Sequence, residues 1–325
     1  MKRFPKSIGW ILLVGLLLCV PLLFAKDYYL HMFVMAGIYA ILAVSLALIM
    51  GFTGQVSLCH ATFFGIGAYT SALMSLNFGL SFWITLWLGG SMGALVSWVL
   101  GRLVLRLKGH FLAITTAFFG VMVAVVLNNW VGLTKGPMGL PGIPRPTPIP
   151  LPGFRIEIAT RTHYYYLVLI LLGLVLYVAW RIVRSRLGKA MVAIRENEEL
   201  AQSIGIESMR YKLFSFCLGG GIAGLAGAFY AHYILFISPV TFNVGDSINL
   251  VVMVIFGGMT TLSGPVLGAV ILTLLPEFLR MAGPLRLVIY GLALMIFIIW
   301  MPLGVVGTVK DFLQSRRETP TTGEA

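Results

Sequence analysis

Side chains that could carry chemistry are concentrated in two short stretches of an otherwise apolar chain. The first, Gly51 to His60, reads GFTGQVSLCH and places hydroxyl, amide and imidazole groups directly after an apolar run. The second, Ser185 to Leu213, is the most charged part of a sequence that is 59% hydrophobic and 10% charged. Groups of the first kind bind solutes, and groups of the second kind bind a protein or a lipid surface. No catalytic set or metal-ligand spacing stands out, so the sequence predicts neither catalysis nor a metal or other cofactor.

The elements that position these stretches are apolar runs of membrane-spanning length. Mean hydropathy is +0.95, and the charged fraction lies far below the roughly one quarter that is usual in soluble domains. Residues 111–130, 164–180 and 213–236 reach or approach the roughly 20 residues that a spanning helix needs. The net charge of +12 does not indicate nucleic acid, because the basic residues lie at the ends of apolar runs. The sequence therefore predicts an all-α polytopic membrane protein in contact with the lipid bilayer.

The charges that flank the apolar runs predict a topology. About ten transmembrane helices with both termini cytoplasmic satisfy the positive-inside rule, in a single transmembrane domain over residues 1–325. The first run also resembles a signal peptide, but Leu23 at the −3 position favours a retained helix. Residues 131–163 are expected outside, and residues 184–212 and the tail 306–325 in the cytoplasm. The expected spans are 8–25, 32–50, 61–77, 82–101, 111–130, 164–183, 213–236, 247–258, 264–280 and 285–302.

The charged stretch is predicted to form one surface helix between two spans. Gly188 is expected to end the preceding apolar helix, and Gly205 to end the surface helix. A period of 3.6 residues places Met191, Ile194, Ala201 and Ile204 on one face, with Arg195, Glu196 and Glu199 pointing away. One interpretation is a connector that lies on lipid headgroups. The acidic cluster of Glu196, Glu198 and Glu199 favours a protein partner instead, because anionic headgroups repel carboxylates.

Two glycine-rich interruptions are candidates for a solute path. The first junction, Gly51–His60, breaks a helix at membrane depth, where free backbone groups need protein or water as partners. The second junction, residues 256–269, reads FGGMTTLSGPVLGA and resembles the first, which suggests a duplicated architecture. Broken helices often direct a helix end at a substrate, although small residues also serve close helix packing. The candidate path residues are Gly51, Thr53, Gly54, Gln55, Ser57, His60, Gly257, Gly258 and Ser263.

The loop at residues 131–163 is rich in proline. Seven of the chain's 15 prolines fall within residues 137–152, so this segment is expected to be extended and stiff rather than helical. It could dock or gate an external solute-binding protein, or it could be a spacer between two halves of a helix bundle. The sequence leaves both interpretations open.

Several stretches resemble one transporter family. GKAMVAIRENEELAQSIGI resembles the cytoplasmic coupling loop of ABC importer permeases, with Glu199, Ala201 and Gly205 matching the pattern Glu-Ala-Ala, three residues, Gly. Leu200 stands where the pattern has its first alanine. GFTGQVSLCHATFFGIGAYTSALM, LKGHFLAITTAFFGVMV, LNNWVGLTKGPMGLPGIPRP and AGLAGAFYAHYILFISP are similar to the M-type permease subunit of branched-chain amino-acid importers. The similarity covers residues 30 to 305 or thereabouts.

The resemblance implies partners and a membrane. It implies two cytoplasmic ABC ATPase subunits, a second homologous permease subunit and a periplasmic or extracellular solute-binding protein, assembled in the bacterial inner membrane. Gly188–Lys189 is followed by Ala190 rather than Ser or Thr, so no P-loop is present and the ATPase is expected to be another chain. The residues expected to couple to it are Gly188, Arg195, Glu196, Asn197, Glu198, Glu199, Ala201 and Gly205.

The sequence also bears on three alternative functions. Urea and short-amide ABC importers have sister permeases of similar sequence. A stand-alone secondary transporter would need ionisable groups deep in its spans, and the spans contain almost none. A membrane enzyme would need a catalytic cluster near one interface, and none is evident in the sequence.

Overall fold

The computed structural model describes residues 18–21, 26–151, 154–156, 158, 160–279, 283, 285–301 and 304–315. Residues 18–21 are helical. The further helices are α1 Asp27–Thr53, α2 His60–Phe78, α3 Phe82–Val104, α4 His110–Asn129, α5 Val131–Thr134, α6 Arg161–Arg184, α7 Arg186–Glu196, α8 Glu198–Ser203, α9 Ser208–Ile234, α10 Val244–Gly257, α11 Ser263–Phe278, α12 Arg286–Trp300 and α13 Gly304–Ser315. The strands are β1 Leu140–Pro141, β2 Ile149–Leu151, β3 Phe154–Ile156 and β4 Phe236–Ile237.

The predicted spans between residues 32 and 302 are confirmed as helices with shifted ends. Helix α9 begins at Ser208 rather than residue 213, because no glycine or proline separates its polar first turn from the apolar run. In the described part of the chain, α1, α3, α4, α6 and α9 are long and apolar enough to cross a membrane. The expected first span, 8–25, falls mostly outside the described residues. The number of crossings and the side of each terminus stay predictions.

Helix α1 forms the centre of the bundle. The most apolar stretch of α1 is 78% buried, whereas the corresponding stretches of α4 and α6 are 17% and 22% buried. Helix α1 packs against α6, α9 and α11. A helix that is apolar on all sides is stable in the interior of a bundle or in lipid. Helix α1 therefore lies in the interior of the bundle, whereas α4 and α6 each keep one exposed face that suits contact with lipid.

Helices α2, α3 and α9 approach each other through glycines. A Cβ atom added at Gly93 of α3 would meet the carbonyl oxygen of Gly220 on α9, and one at Gly67 of α2 would meet that of Gly224. Such contacts bring helix backbones close enough for dense packing where no hydrophobic effect drives association. The three helices therefore form a tightly packed support beside α1.

The proline-rich loop and the charged stretch lie at opposite ends of α6. This helix runs from Arg161, where the loop ends, to Arg184, where the charged stretch begins. Strand β1 of the loop pairs antiparallel with β4, which follows the far end of α9, with Leu140 opposite Ile237. The described residues from 139 to 151 contain no helix, as predicted, whereas a 3-10 turn at Gly136–Met138 and helix α5 precede them; β2 and β3 form a short hairpin. The two segments are thus separated by the length of a spanning helix.

Candidate functional site

The first junction is a helix end followed by a short loop. Helix α1 ends at Thr53, and Gly54 adopts a left-handed conformation with φ +72° that turns the chain away. The Thr53 hydroxyl donates to the Ile49 carbonyl, and the Gln55 amide nitrogen donates to the Thr53 hydroxyl at 2.7 Å. The same nitrogen reaches the carbonyl of Lys212 on α9 at 3.3 Å. The junction is therefore anchored to its own helix and to the start of α9.

Two buried acceptors in this junction have no partner within the described chain. His60 Nε2 lies 2.6 Å from the Ser45 hydroxyl, which already donates its single hydrogen to the Leu42 carbonyl. We infer that Nε2–H is the donor in this bond, which leaves Nδ1 as an acceptor. His60 Nδ1 and Gln55 Oε1 are both buried without a hydrogen-bond partner. Buried polar atoms in folded proteins are nearly always paired, so these two need a solute, a water or a movement to satisfy them.

The second junction contacts the first. Helix α10 ends at Gly257, Gly258 follows with φ +109°, and α11 begins at Ser263. A Cβ atom added at Gly51 would collide with the carbonyl group of Met259. Of the predicted path residues here, Gly257 and Gly258 are buried and Ser263 is exposed. Interruptions about 200 positions apart in the sequence are therefore in backbone contact.

The prediction that the charged stretch forms one continuous surface helix is wrong. It is divided into α7 and α8 at Asn197, whose backbone is extended with φ −157° and ψ 107°. The Asn197 side-chain oxygen accepts from Leu200 N at 3.0 Å. Asparagine is among the strongest N-cap residues, because its side chain satisfies a backbone donor that the helix start leaves free. Here this local bond outweighs the helix propensity of the surrounding residues.

The expected role of Gly188 is also wrong. Helix α6 ends at Arg184, and Ser185 caps α7 by accepting from Leu187 N at 3.2 Å. Gly188 lies inside α7, where a Cβ atom would meet the Val183 carbonyl. It permits α7 to fold back closely on the end of α6. Gly205, with φ +86°, ends the segment as predicted.

The division at Asn197 changes which side chains face the bundle. Of the four residues predicted to share one face, Met191, Ile194 and Ala201 are buried together, but Ile204 is 71% exposed. Arg195 was expected to point away, yet its Nη1 donates to the Gly51 carbonyl at 2.6 Å and its Cγ lies over Gly54. Its guanidinium also pairs with the Glu196 carboxylate. Arg195 therefore connects the charged stretch directly to the first junction.

The acidic cluster is split between the protein interior and the surface. Glu198 accepts from Lys212 Nζ at 2.6 Å and lies 3.8 Å from Lys108. Glu199 is 87% exposed, with only a 4.0 Å approach to Lys108. Beside it, Leu200 and Ile204 are both exposed. Glu198 thus fastens α8 to α9, while Glu199, Leu200 and Ile204 form a mixed acidic and apolar surface.

A buried histidine fixes the opposite end of the bundle. His232 Nδ1 donates to the Pro144 carbonyl of the proline-rich loop at 2.7 Å. Its Nε2 lies 3.0 Å from the Ser71 hydroxyl and 3.3 Å from that of Thr85. The sequence signal was limited to an isolated histidine near the end of an apolar run. Nothing in the sequence marked Pro144 as its partner, or Lys108 and Lys212 as partners of Glu198.

This fold is that of an all-α polytopic membrane protein, in which a charged segment docks on the first of two helix breaks that contact each other. A profile of the family described as "Branched-chain amino acid transport system / permease component" matches residues 28–299. The chain belongs to this family.

Individual relatives agree with the family assignment. The high-affinity branched-chain amino acid transport system permease protein LivM of Salmonella typhimurium is 34% identical over 298 residues, covering 86% of this chain and 70% of that protein. LivM of Escherichia coli K12 is 34% identical over 295 residues, covering 85% and 69%. The permease protein LivH of Salmonella typhimurium is 23% identical over 287 residues, covering 83% and 91%. No solved structure gives a significant match.

Proposed function

We propose that this chain is a membrane-spanning permease subunit of an ABC importer that translocates branched-chain amino acids. Its membership in the permease family and the printed names of its relatives support the class and the substrate. The structural observation that carries the mechanism is the series of contacts from Arg195 to Gly51 and from Gly51 to Met259. A segment exposed to partners is thereby joined to both helix breaks.

The proposed assembly contains further subunits. Two cytoplasmic ATPase subunits hydrolyse ATP, a second homologous permease completes the path, and an external binding protein delivers the solute. The surface of Glu199, Leu200 and Ile204 is the part of residues 184–212 that would bind in an ATPase cleft, because it is exposed and combines an acidic side chain with two apolar ones. The proposed location is the bacterial cytoplasmic membrane, with residues 184–212 on the ATPase side and the proline-rich loop outside.

Movement of the ATPases would pass through α7 and α8 as rigid bodies. Arg195 would carry it to the end of α1 through the Gly51 carbonyl, and the Glu198–Lys212 pair would carry it to α9. A hydrogen bond to a charged group contributes about 1.5–3 kcal/mol, which is enough to shift a two-state equilibrium roughly tenfold or more. The two junctions are the elements that such a shift would reposition around the path.

The first junction offers chemistry suited to part of an amino acid. Its unpartnered acceptors, Gln55 Oε1 and His60 Nδ1, could receive hydrogen bonds from an ammonium group. The neighbouring apolar residues of α1 suit an aliphatic side chain. This supports the path assignment of Gln55 and His60, whereas the hydroxyls of Thr53 and Ser57 already have partners within the protein. It favours an amino acid over the urea alternative, which has no aliphatic side chain to bury.

The coupling assignment is tested by Glu199→Arg. Reversal of this exposed charge should reduce co-purification with the ATPases and uptake of labelled leucine by about tenfold or more. The reason is that a partner surface that complements the acidic Glu199 would repel an arginine at the same position. Membrane insertion and thermal stability should be unchanged, because the side chain is largely solvated. Asp311→Arg on α13 makes the same charge change at an exposed position elsewhere and is the control. Uptake by Glu199→Arg equal to that of the control would refute the assignment.

A further inference from the structure

A polar cavity opens at the end of the bundle opposite residues 184–212. Its volume is about 520 Å³, within the range of roughly 300–1,000 Å³ that is common for small-molecule sites. Helices α1 and α6 begin at its edge and α9 ends there, because Asp27, Arg161 and Ile234 all line it. The proline-rich loop contributes Arg145. The cavity therefore lies on the side that the proposed topology places outside the cell.

The cavity is lined by acidic and basic side chains that do not form ion pairs with one another. Arg161 Nη1 donates to the main-chain carbonyl of Asp27 at 2.7 Å, so this bond leaves the Asp27 carboxylate free. Within the described residues, no ion pair of 4.0 Å or less involves the side chains of Asp27, Arg145 or Arg161. One anionic group and two cationic groups thus share one concave space.

Aromatic side chains hold the walls of the cavity in place. The Tyr233 hydroxyl lies 2.7 Å from His31 Nδ1, and the two rings stack with centroids 5.5 Å apart. The Tyr164 hydroxyl donates to the His232 carbonyl at 2.9 Å. Its ring meets that of Tyr233 edge-on at 5.1 Å. The walls are therefore fixed before any ligand arrives, which lowers the entropic cost of binding.

We propose that this cavity binds a free zwitterionic α-amino acid as it enters the permease. The Asp27 carboxylate receives the ammonium group, and the guanidinium groups of Arg145 and Arg161 receive the carboxylate, in the forked geometry that favours this pairing. The aromatic walls contact the aliphatic side chain. This inference rests on the proposed import function, and it adds a binding site separate from the two junctions.

The closing experiment uses the assembled importer in nanodiscs without its binding protein. Binding of labelled leucine is compared with binding of leucinamide, which lacks the carboxylate, and N-acetylleucine, which lacks the ammonium group. The parent importer should prefer leucine over both analogues. Asp27→Asn should weaken leucine binding about tenfold and leave N-acetylleucine unchanged, and Arg145→Gln should weaken leucine equally and leave leucinamide unchanged. Lys26→Gln removes an exposed neighbouring charge that does not line the cavity and should have no effect.

Other outcomes overturn the proposal. It is wrong if the parent importer shows no saturable leucine binding, if leucinamide binds as well as leucine, or if both cavity variants bind leucine normally. Variants that lose binding-protein-dependent uptake but still bind leucine would show that the cavity docks the binding protein instead. Uptake is measured separately, in proteoliposomes supplied with ATP and the binding protein. If the parent importer takes up leucine there while the cavity variants bind leucine as the parent does, only the cavity assignment fails. Failure of the parent to take up leucine in those proteoliposomes would refute the import function itself.

Discussion

At the scale of single residues, Arg195 is the side chain on which the mechanism depends most. Its bond to the Gly51 carbonyl spans 144 positions in the sequence and is partly buried. The aliphatic part of its side chain also packs on Gly54. A larger residue at position 54 would be strained, because its φ is positive, and it would also press against Arg195. One side chain therefore holds both the carbonyl and the turn at the end of α1.

We predict that Arg195→Gln uncouples the importer without dissociating it. Loss of the charged bond to Gly51 should lower leucine uptake about tenfold, since such bonds contribute roughly 1.5–3 kcal/mol. ATPase subunits should still co-purify, because the Glu199, Leu200 and Ile204 surface is untouched. The measurement is uptake per molecule of ATP hydrolysed in proteoliposomes.

Arg210→Gln is the matched control for that variant. Arg210 carries the same charge on the same side of the molecule, but its side chain is 79% exposed, and among the described residues its one ion pair is with Glu207 in the neighbouring turn. Surface pairs of this kind contribute about 0–1 kcal/mol, so uptake should stay near that of the parent. A fall in uptake shared equally by both variants would contradict the role given to Arg195.

At the scale of elements, the site is an arrangement of helix ends. Helices α1 and α10 are each followed by a glycine with positive φ, Gly54 and Gly258. Gly51, predicted as a break, lies within the last turn of α1, and there it meets Met259 of the turn that follows α10. The division at Asn197 gives α7 and α8 separate attachments, the first to α1 through Arg195 and the second to α9 through Glu198. Two short helices can therefore transmit movement to two different spans, which one continuous helix would move together.

The contact between the junctions predicts the effect of Gly51→Ala. The added methyl group would overlap the Met259 carbonyl, so α1 and the second junction must separate. Overpacking of this kind costs about 1–3 kcal/mol and should lower both the thermal midpoint in detergent and leucine uptake. Gly173→Ala on α6 is the control, since a Cβ atom there meets no atom within 4 Å. If both alanine variants melt at the parent temperature, the close approach is not a feature of the folded protein.

At the scale of the whole molecule, helices α6 and α9 connect two differently constructed ends. One end carries residues 184–212 with their exposed acidic surface. The other carries the proline-rich loop, fastened by the β1–β4 pairing and by His232. Attachment of the loop at both points makes its described part a portion of the folded bundle rather than a loose connector.

This arrangement predicts opposite accessibility at the two ends. In a background without native cysteines, Thr147→Cys in the loop should react with an impermeant maleimide added to intact cells. In cells that lack the ATPase subunits, whose proposed contact would cover this position, Glu199→Cys should react only after the membrane is permeabilised. Both positions are exposed, so a difference in labelling reports the side of the membrane rather than burial. Labelling of Glu199→Cys in intact cells would refute the proposed topology and, with it, the ATPase contact.

The sequence by itself determined the class of protein and the positions of the helices. Apolar run length, helix propensity and glycine or proline breaks act within a few residues, so the apolar helices could be located from local patterns: α1, α2, α3, α4, α6, α9, α10, α11 and α12. Gly54 and Gly205 were recognised as breaks for the same reason, and both have positive φ. The motifs that identified the family are also continuous stretches of chain.

Only the tertiary structure decided which of these elements meet. The bond from Arg195 to Gly51, the contact of Gly51 with Met259 and the attachment of Pro144 to His232 each join residues far apart in the sequence. Helical periodicity gave the face of each helix but not its neighbour, and it failed at Ile204 because one asparagine cap reset the phase at Asn197. A contact between distant residues depends on how all the helices pack at once, and that is a property of the whole bundle rather than of any single stretch.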